Sequence, residues 1–125
     1  MAKILVIDDD SAVRDTLVQV LEDGGYEVAS AEDGKRGIAS FRRDPPDLVI
    51  TDIIMPEMEG IQTITELRRI RPNAKIIALS GGGRIGNTDF LSVARYLGAM
   101  DVIAKPFDLD DLLSRVGRCL SGQQR

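Results

Sequence analysis

The sequence contains no histidine. This removes imidazole as a general base, as a metal ligand and as a member of a Ser-His-Asp triad. It also means that the chain cannot supply a phosphohistidine of its own. A single cysteine, Cys119, excludes an internal disulfide and fits a reducing compartment. It lies in an apolar helical pattern and reads as a small core or boundary residue. No apolar run approaches the ~20 residues that span a bilayer. No signal-peptide form opens the chain, because strand-like Ile4 to Ile7 meets acids at once. The expected location is therefore cytoplasmic. Basic residues are outnumbered, 16 against 20 acidic, for a net charge of −4. The basic footprint of a non-specific nucleic-acid binder is missing.

What is present is an ordinary globular composition. Hydrophobic residues make up 43% of 125 and charged residues 29%, enough for one domain with its own core. The expected domain covers residues 1–121, with 122–125 as a flexible tail. The Arg42-Arg43 and Arg68-Arg69-Arg71 groups read as solvated helix faces.

The chain is organised around Asp47-Leu48-Val49-Ile50-Thr51-Asp52, followed by Ile53-Ile54-Met55-Pro56 and by Gly60 at the start of a helix. It reads as an apolar strand that delivers a carboxylate to its C-terminal end, the edge where open parallel sheets bind ligands. Two other strands have the same form. Lys3 to Ile7 runs into Asp8-Asp9-Asp10, and Asp101 to Ala104 runs into Lys105-Pro106. Tyr26 to Ser30 and Lys75 to Leu79 supply two more strands.

Helical periodicity fills the gaps. Ser11 reads as the cap of a helix carrying Val13, Leu17, Val20 and Leu21, stopped by Gly24-Gly25. Asp33-Gly34 opens a helix with Ile38 and Phe41. Gly60 to Arg69 carries Ile61, Ile64 and Leu67, with Ile70 continuing the stripe. Asn87 or Thr88 caps a helix with Phe90, Leu91, Ala94 and Leu97. Asp108 caps a last helix with Leu109, Leu112, Leu113, Val116 and Leu120. Gly117 inside that helix weakens it by ~1 kcal/mol relative to alanine. Five βα units in alternation predict a parallel sheet with helices on both faces.

If the first and third strands are neighbours, Asp8, Asp9, Asp10 and Asp52 converge within ~5 Å strand spacing. Acids that close need a raised pKa or a cation among them. The all-oxygen donor set suits a hard cation, magnesium first, with manganese or calcium as alternatives. Asp10 either joins this cluster or caps the first helix with Ser11. Lys105 is the counter-charge, free to pair with Asp52 or with a phosphate oxygen. Ser80 offers a hydroxyl or is a plain turn residue. The backbone N–H groups of Ile53 and Gly81 are expected to point into the pocket. Such a set stabilises equatorial phosphoryl oxygens while a carboxylate attacks in line.

Asp8-Asp9, Asp52 with Met55-Pro56 and Gly60, Ser80, and Lys105-Pro106-Phe107 stand in order at the ends of four of the five strands. Over nearly its whole length the chain resembles the receiver domains of two-component response regulators, in particular chemotaxis-regulator-like receivers. The resemblance implies a three-layer (βα)5 flavodoxin-like fold, a doubly wound parallel sheet of five strands. It implies that Asp52 takes a phosphoryl group from the phosphohistidine of a bacterial sensor kinase or phosphotransfer protein. The domain would catalyse only its own phosphorylation and dephosphorylation. Asp9 and Asp52 would ligate Mg2+ directly, Asp8 mainly through water, and the Ile54 carbonyl would complete the protein ligands. Ser80 and Lys105 would hold the phosphoryl oxygens, and the Lys105–Pro106 peptide would be cis. The implied docking face for a downstream protein or effector domain includes Arg95, Tyr96, Val102 and Asp111.

Three positions depart from the family pattern. Val102 stands where an aromatic switch residue is usual. The loop holding Gly81-Gly82-Gly83 and Gly86 is longer than usual by about three residues, and is expected to be mobile until phosphate arrives. Ile54 replaces a frequent polar residue, which predicts slower self-dephosphorylation.

Three other readings compete. A flavin or nucleotide module needs a phosphate cradle after the first strand, where three aspartates stand instead. An aspartyl-phosphate hydrolase needs an acid two places after Asp52, where Ile54 stands. A pseudo-receiver that only docks partners would not need the intact set of acids, hydroxyl and lysine.

Overall fold

The computed structural model describes residues 1–53, 59–80 and 98–122. Strands and helices alternate as β1 (Lys3–Ile7), α1 (Ser11–Asp23), β2 (Glu27–Ala31), α2 (Gly34–Arg43), β3 (Leu48–Asp52), α3 (Glu59–Ile70), β4 (Ile76–Ser80), β5 (Asp101–Ala104) and α4 (Leu109–Leu120). The glycine-rich loop and the helix expected after Asn87 lie outside the described residues, as do Ile54 and the tail from 123.

All strand pairs are parallel, in the order β2-β1-β3-β4-β5. The chain steps outward from β1 to β2, then returns past β1 to β3. That reversal opens a crevice between the carboxyl ends of β1 and β3, where ligands bind in sheets of this kind. Ile7 stands opposite Thr51, so Asp8 and Asp52 are brought side by side.

The period of two along each strand splits the core in two. Leu5 and Ile7 of β1 and Val49 of β3 face one cluster with Phe41 of α2 and Ile64 and Leu67 of α3. Ile4, Val6, Leu48 and Ile50 face the other, with Leu17 and Leu21 of α1 and Leu112 and Val116 of α4. Runs that are apolar without alternation are what a sheet covered on both faces requires. Each fully buried Leu or Ile contributes ~1.5–3 kcal/mol before ordering costs.

Asp108 caps its helix as predicted, and Asp33 proves to be the cap of the helix that Asp33-Gly34 opens, each side chain accepting a backbone N–H three residues on. At α1 the cap is Asp10 rather than Ser11. Its Oδ1 accepts from the N–H of Ala12 at 2.9 Å and of Val13 at 3.3 Å, and its own carbonyl takes the first helical bond from Arg14. Ser11 is already inside the helix. β2 starts one residue later than its apolar run, because the Tyr26 N–H is held by the Leu21 carbonyl in the turn closing α1. β4 is likewise one residue later and includes Ser80, paired with Ala104. Leu109 is 40% exposed, since the first turn of α4 has not yet reached the sheet. Val102, at the position of the usual aromatic, is buried in the α2/α3 cluster.

Candidate functional site

Three strand ends build one acidic pocket. Asp8 and Asp9 leave β1, Asp52 ends β3, and Lys105 follows β5. One carboxylate oxygen from each of Asp8, Asp9 and Asp52 lies within 4.8 Å of the others. Asp8 is fully buried, Asp52 is 3% exposed and Asp9 faces solvent.

Burying ionised carboxylates is costly unless each is paired and hydrogen-bonded. Lys105 supplies the pairing. Its Nζ donates to Asp52 Oδ2 at 3.0 Å and to Asp8 Oδ2 at 3.1 Å. The long lysine stem lets a charge from an edge strand reach two acids nearer the sheet centre. Burial pulls the Lys105 ammonium down in pKa, but bonding to Asp52 and the charges of Asp52 and Asp8 outweigh it. The result is a pKa raised above the usual lysine range. The Lys105–Pro106 peptide is cis, as the resemblance implies.

Asp8 is held on every side. Its N–H donates to the Ala31 carbonyl at 3.2 Å, and its Oδ1 accepts the Asp10 N–H at 2.9 Å. Arg14, which no motif singles out, donates Nη1–H to the Asp8 carbonyl at 2.7 Å. Asp10 caps α1 and is not part of the cluster, which resolves its two readings in favour of the cap.

The expected role of the Ile53 N–H is overturned. It donates to the Leu79 carbonyl at 3.0 Å, extending the β3–β4 ladder, and so does not face the pocket. Gly81 and Ile54 lie outside the described residues, as do Arg95 and Tyr96 of the expected docking face. The backbone of Ser80 ends β4, beside the β3 end that carries Asp52.

Gly60 gains a reason that the sequence alone did not give. A Cβ there would stand 2.3 Å from the Asp52 carbonyl oxygen and 2.3 Å from Ile53 Cα. The start of α3 therefore rests directly on the backbone that carries Asp52.

The donor set fits a hard divalent cation. All three side chains offer oxygen, and three carboxylates against one ammonium leave an excess of two negative charges.

A doubly wound parallel sheet with acids and a lysine at its carboxyl edge defines a flavodoxin-like domain built for phosphoryl chemistry. The response regulator receiver domain family matches residues 4–117. The chain belongs to that family, the phosphoacceptor modules of two-component systems. It is 36% identical over 120 residues to the chemotaxis protein CheY of Bacillus subtilis, covering 95% of this chain and 98% of that one. The CheY of Thermotoga maritima is 40% identical over 106 residues, 84% of this chain and 86% of that one. Among solved structures, a CheY-like receiver domain from Methanospirillum hungatei superposes with a TM-score of 0.90 at 32% identity, covering 98% of this chain and 96% of that one. No helix among the described residues is long and apolar enough to cross a membrane.

Proposed function

We propose that Asp52 is the phosphoacceptor, with Asp8, Asp9 and Asp52 holding Mg2+, or Mn2+ in its place, together with the backbone carbonyl of Ile54. The donor is the phosphohistidine of a sensor kinase or a histidine phosphotransfer protein. A carboxylate oxygen of Asp52 attacks phosphorus in line. The P–N bond breaks, its electron pair returns to the imidazole, and an aspartyl phosphate remains. Bound magnesium would neutralise charge on the phosphoryl oxygens.

Each side chain of the site has its own task. Lys105 holds the Asp52 oxygen now and a phosphoryl oxygen afterwards, and Ser80 supplies a hydroxyl donor to another. Asp9, exposed and at the pocket mouth, completes the cation ligands, whereas buried Asp8 works mainly through water. Water later hydrolyses the aspartyl phosphate, so the domain resets itself without turning over a separate substrate. The reading places residues 1–121 in the cytoplasm of a bacterial cell as a receiver that regulates a protein target or effector domain, with 122–125 as a tail.

The observation that carries this reading is the shared grip of Lys105 on Asp8 and Asp52 within the three-acid cluster. The test is incubation with acetyl phosphate and Mg2+, followed by intact mass. Wild type gains one phosphoryl group, and the gain disappears with a chelator or in Asp52→Asn. A gain retained by Asp52→Asn would move the acceptor elsewhere.

A further inference from the structure

Asp9 is the one acid of the cluster that faces solvent, and no hydrogen bond or ion pair of its side chain occurs among the described residues. Its direction is inherited from the peptide group that joins it to Asp8. That group is planar, so fixing the Asp8 carbonyl fixes where the Asp9 backbone begins. The group that fixes the carbonyl is Arg14, at 2.7 Å from the first turns of α1. A cationic donor on a carbonyl at that distance makes a charge-assisted bond, among the stronger hydrogen bonds available.

We propose that Arg14 is a positioning residue for divalent-cation binding, acting through the Asp8–Asp9 peptide rather than on the cation itself. The inference rests on the metal site of the proposed function. With Arg14 in place the turn is anchored by three elements. β2 holds the Asp8 N–H through Ala31, α1 holds the carbonyl through Arg14, and Lys105 holds the Asp8 side chain. Asp9 is then aimed before a cation arrives, so little ordering is left to be done on binding. Without Arg14 the peptide can rotate, and Asp9 must be ordered by the incoming ion. The field of a guanidinium acts in the opposite sense, because one cation repels another. Positioning therefore predicts weaker cation binding when Arg14 is removed, and a pure field effect predicts tighter binding.

The experiment titrates the 125-residue wild-type chain, Arg14→Ala, Arg14→Lys and Arg36→Ala with Mn2+, reading free ion by electron paramagnetic resonance. Mg2+-dependent phosphorylation by acetyl phosphate is measured in parallel. Loss of an orienting group costs on the order of tenfold in metal affinity. Arg14→Ala is expected to bind Mn2+ about that much more weakly. The Mg2+ concentration for half-maximal phosphorylation should rise by the same factor, with the rate at saturating Mg2+ within about twofold of wild type. Arg14→Lys, still a charged donor, should bind more tightly than Arg14→Ala, and Arg36→Ala should match wild type. A merely structural role would lower thermal stability without this split between half-saturation and maximal rate. Arg14→Ala binding Mn2+ as tightly as wild type, or more tightly, overturns the proposal and leaves the function standing. A wild-type chain that binds no Mn2+ overturns both.

Discussion

Replacing Lys105 by methionine removes the cation that bonds both buried Asp8 and Asp52 while keeping most of the stem volume. Breaking a buried ion pair from one side costs about 3–5 kcal/mol, because the abandoned charge stays desolvated. Lys105 is 18% exposed, so water can enter and the low end applies, about 3 kcal/mol. For a chain of this size that corresponds to a fall in Tm of roughly 10 °C. The same change should strengthen the pull on a divalent cation, since an internal competitor is gone. At a hundredfold excess over its Kd, Mg2+ returns about 2.7 kcal/mol to any protein that binds it only when folded. Lys105→Met should thus melt well below wild type in chelator, and excess Mg2+ should raise its Tm by more than it raises that of wild type, narrowing the gap.

The pH dependence follows from the raised pKa of Lys105. The folded state holds this proton more tightly than the unfolded chain does. The contribution is therefore complete below the unfolded value, about 10.4, and is lost as pH rises through the higher folded value. The gap between wild type and Lys105→Met should stay level from neutral pH to about 10 and close above it. Calorimetry in chelator and in excess Mg2+ across that range is the assay. Equal Tm values at pH 7 in chelator, or a variant that Mg2+ stabilises less than wild type, would refute the reasoning.

Gly60→Ala should cost about 1–3 kcal/mol by denaturant titration and slow phosphorylation, because its Cβ meets backbone at 2.3 Å and the strand end carrying Asp52 must move. Gly117→Ala should do the reverse, adding ~0.5–1 kcal/mol, since nothing lies within 4 Å of the new Cβ in a helical position. Cys119 should react slowly with Ellman's reagent at pH 8 and quickly once unfolded. It is 4% exposed, and burial, helped by the negative charge of Asp101, pushes the thiol up in pKa. That raised value also means that its share of stability is present below the unfolded thiol pKa and fades as pH climbs through the folded one.

The fold and the pocket were legible wherever one residue's chemistry decided its place. Apolar runs without alternation had to be covered on both faces, and acids at strand ends had to meet a counter-charge. Asp8, Asp9, Asp52 and Lys105 therefore stand out in the sequence itself, and the structure brings them together. What stayed hidden was backbone bonding. Ser11 and Asp10 are both good caps by type, and only the extended backbone at Asp10 distinguishes them. The sequence alone points the Ile53 N–H into the pocket, because the parallel ladder, which takes it to Leu79, depends on a register that no motif prints. By sequence Gly60 is a helix opener, but its close approach to Asp52 is a contact between segments.

Arg14 belongs to that hidden class and shows why the class matters. An arginine six residues after an acid, on a helix face, has no sequence signature of its own. Its importance comes from ending on a carbonyl rather than on a carboxylate. The acids supply attraction for a cation, but attraction alone does not set geometry. Three like charges in one pocket repel each other outward, and the exposed one, Asp9, is the freest to swing away. Lys105 answers the repulsion for the two buried acids and has no bond to the third. Holding Asp9 therefore falls to the backbone, and the backbone at that point is held by Arg14. In this pocket the charged groups set how strongly a cation is drawn in, and the bonded peptide sets whether its ligands are waiting in place.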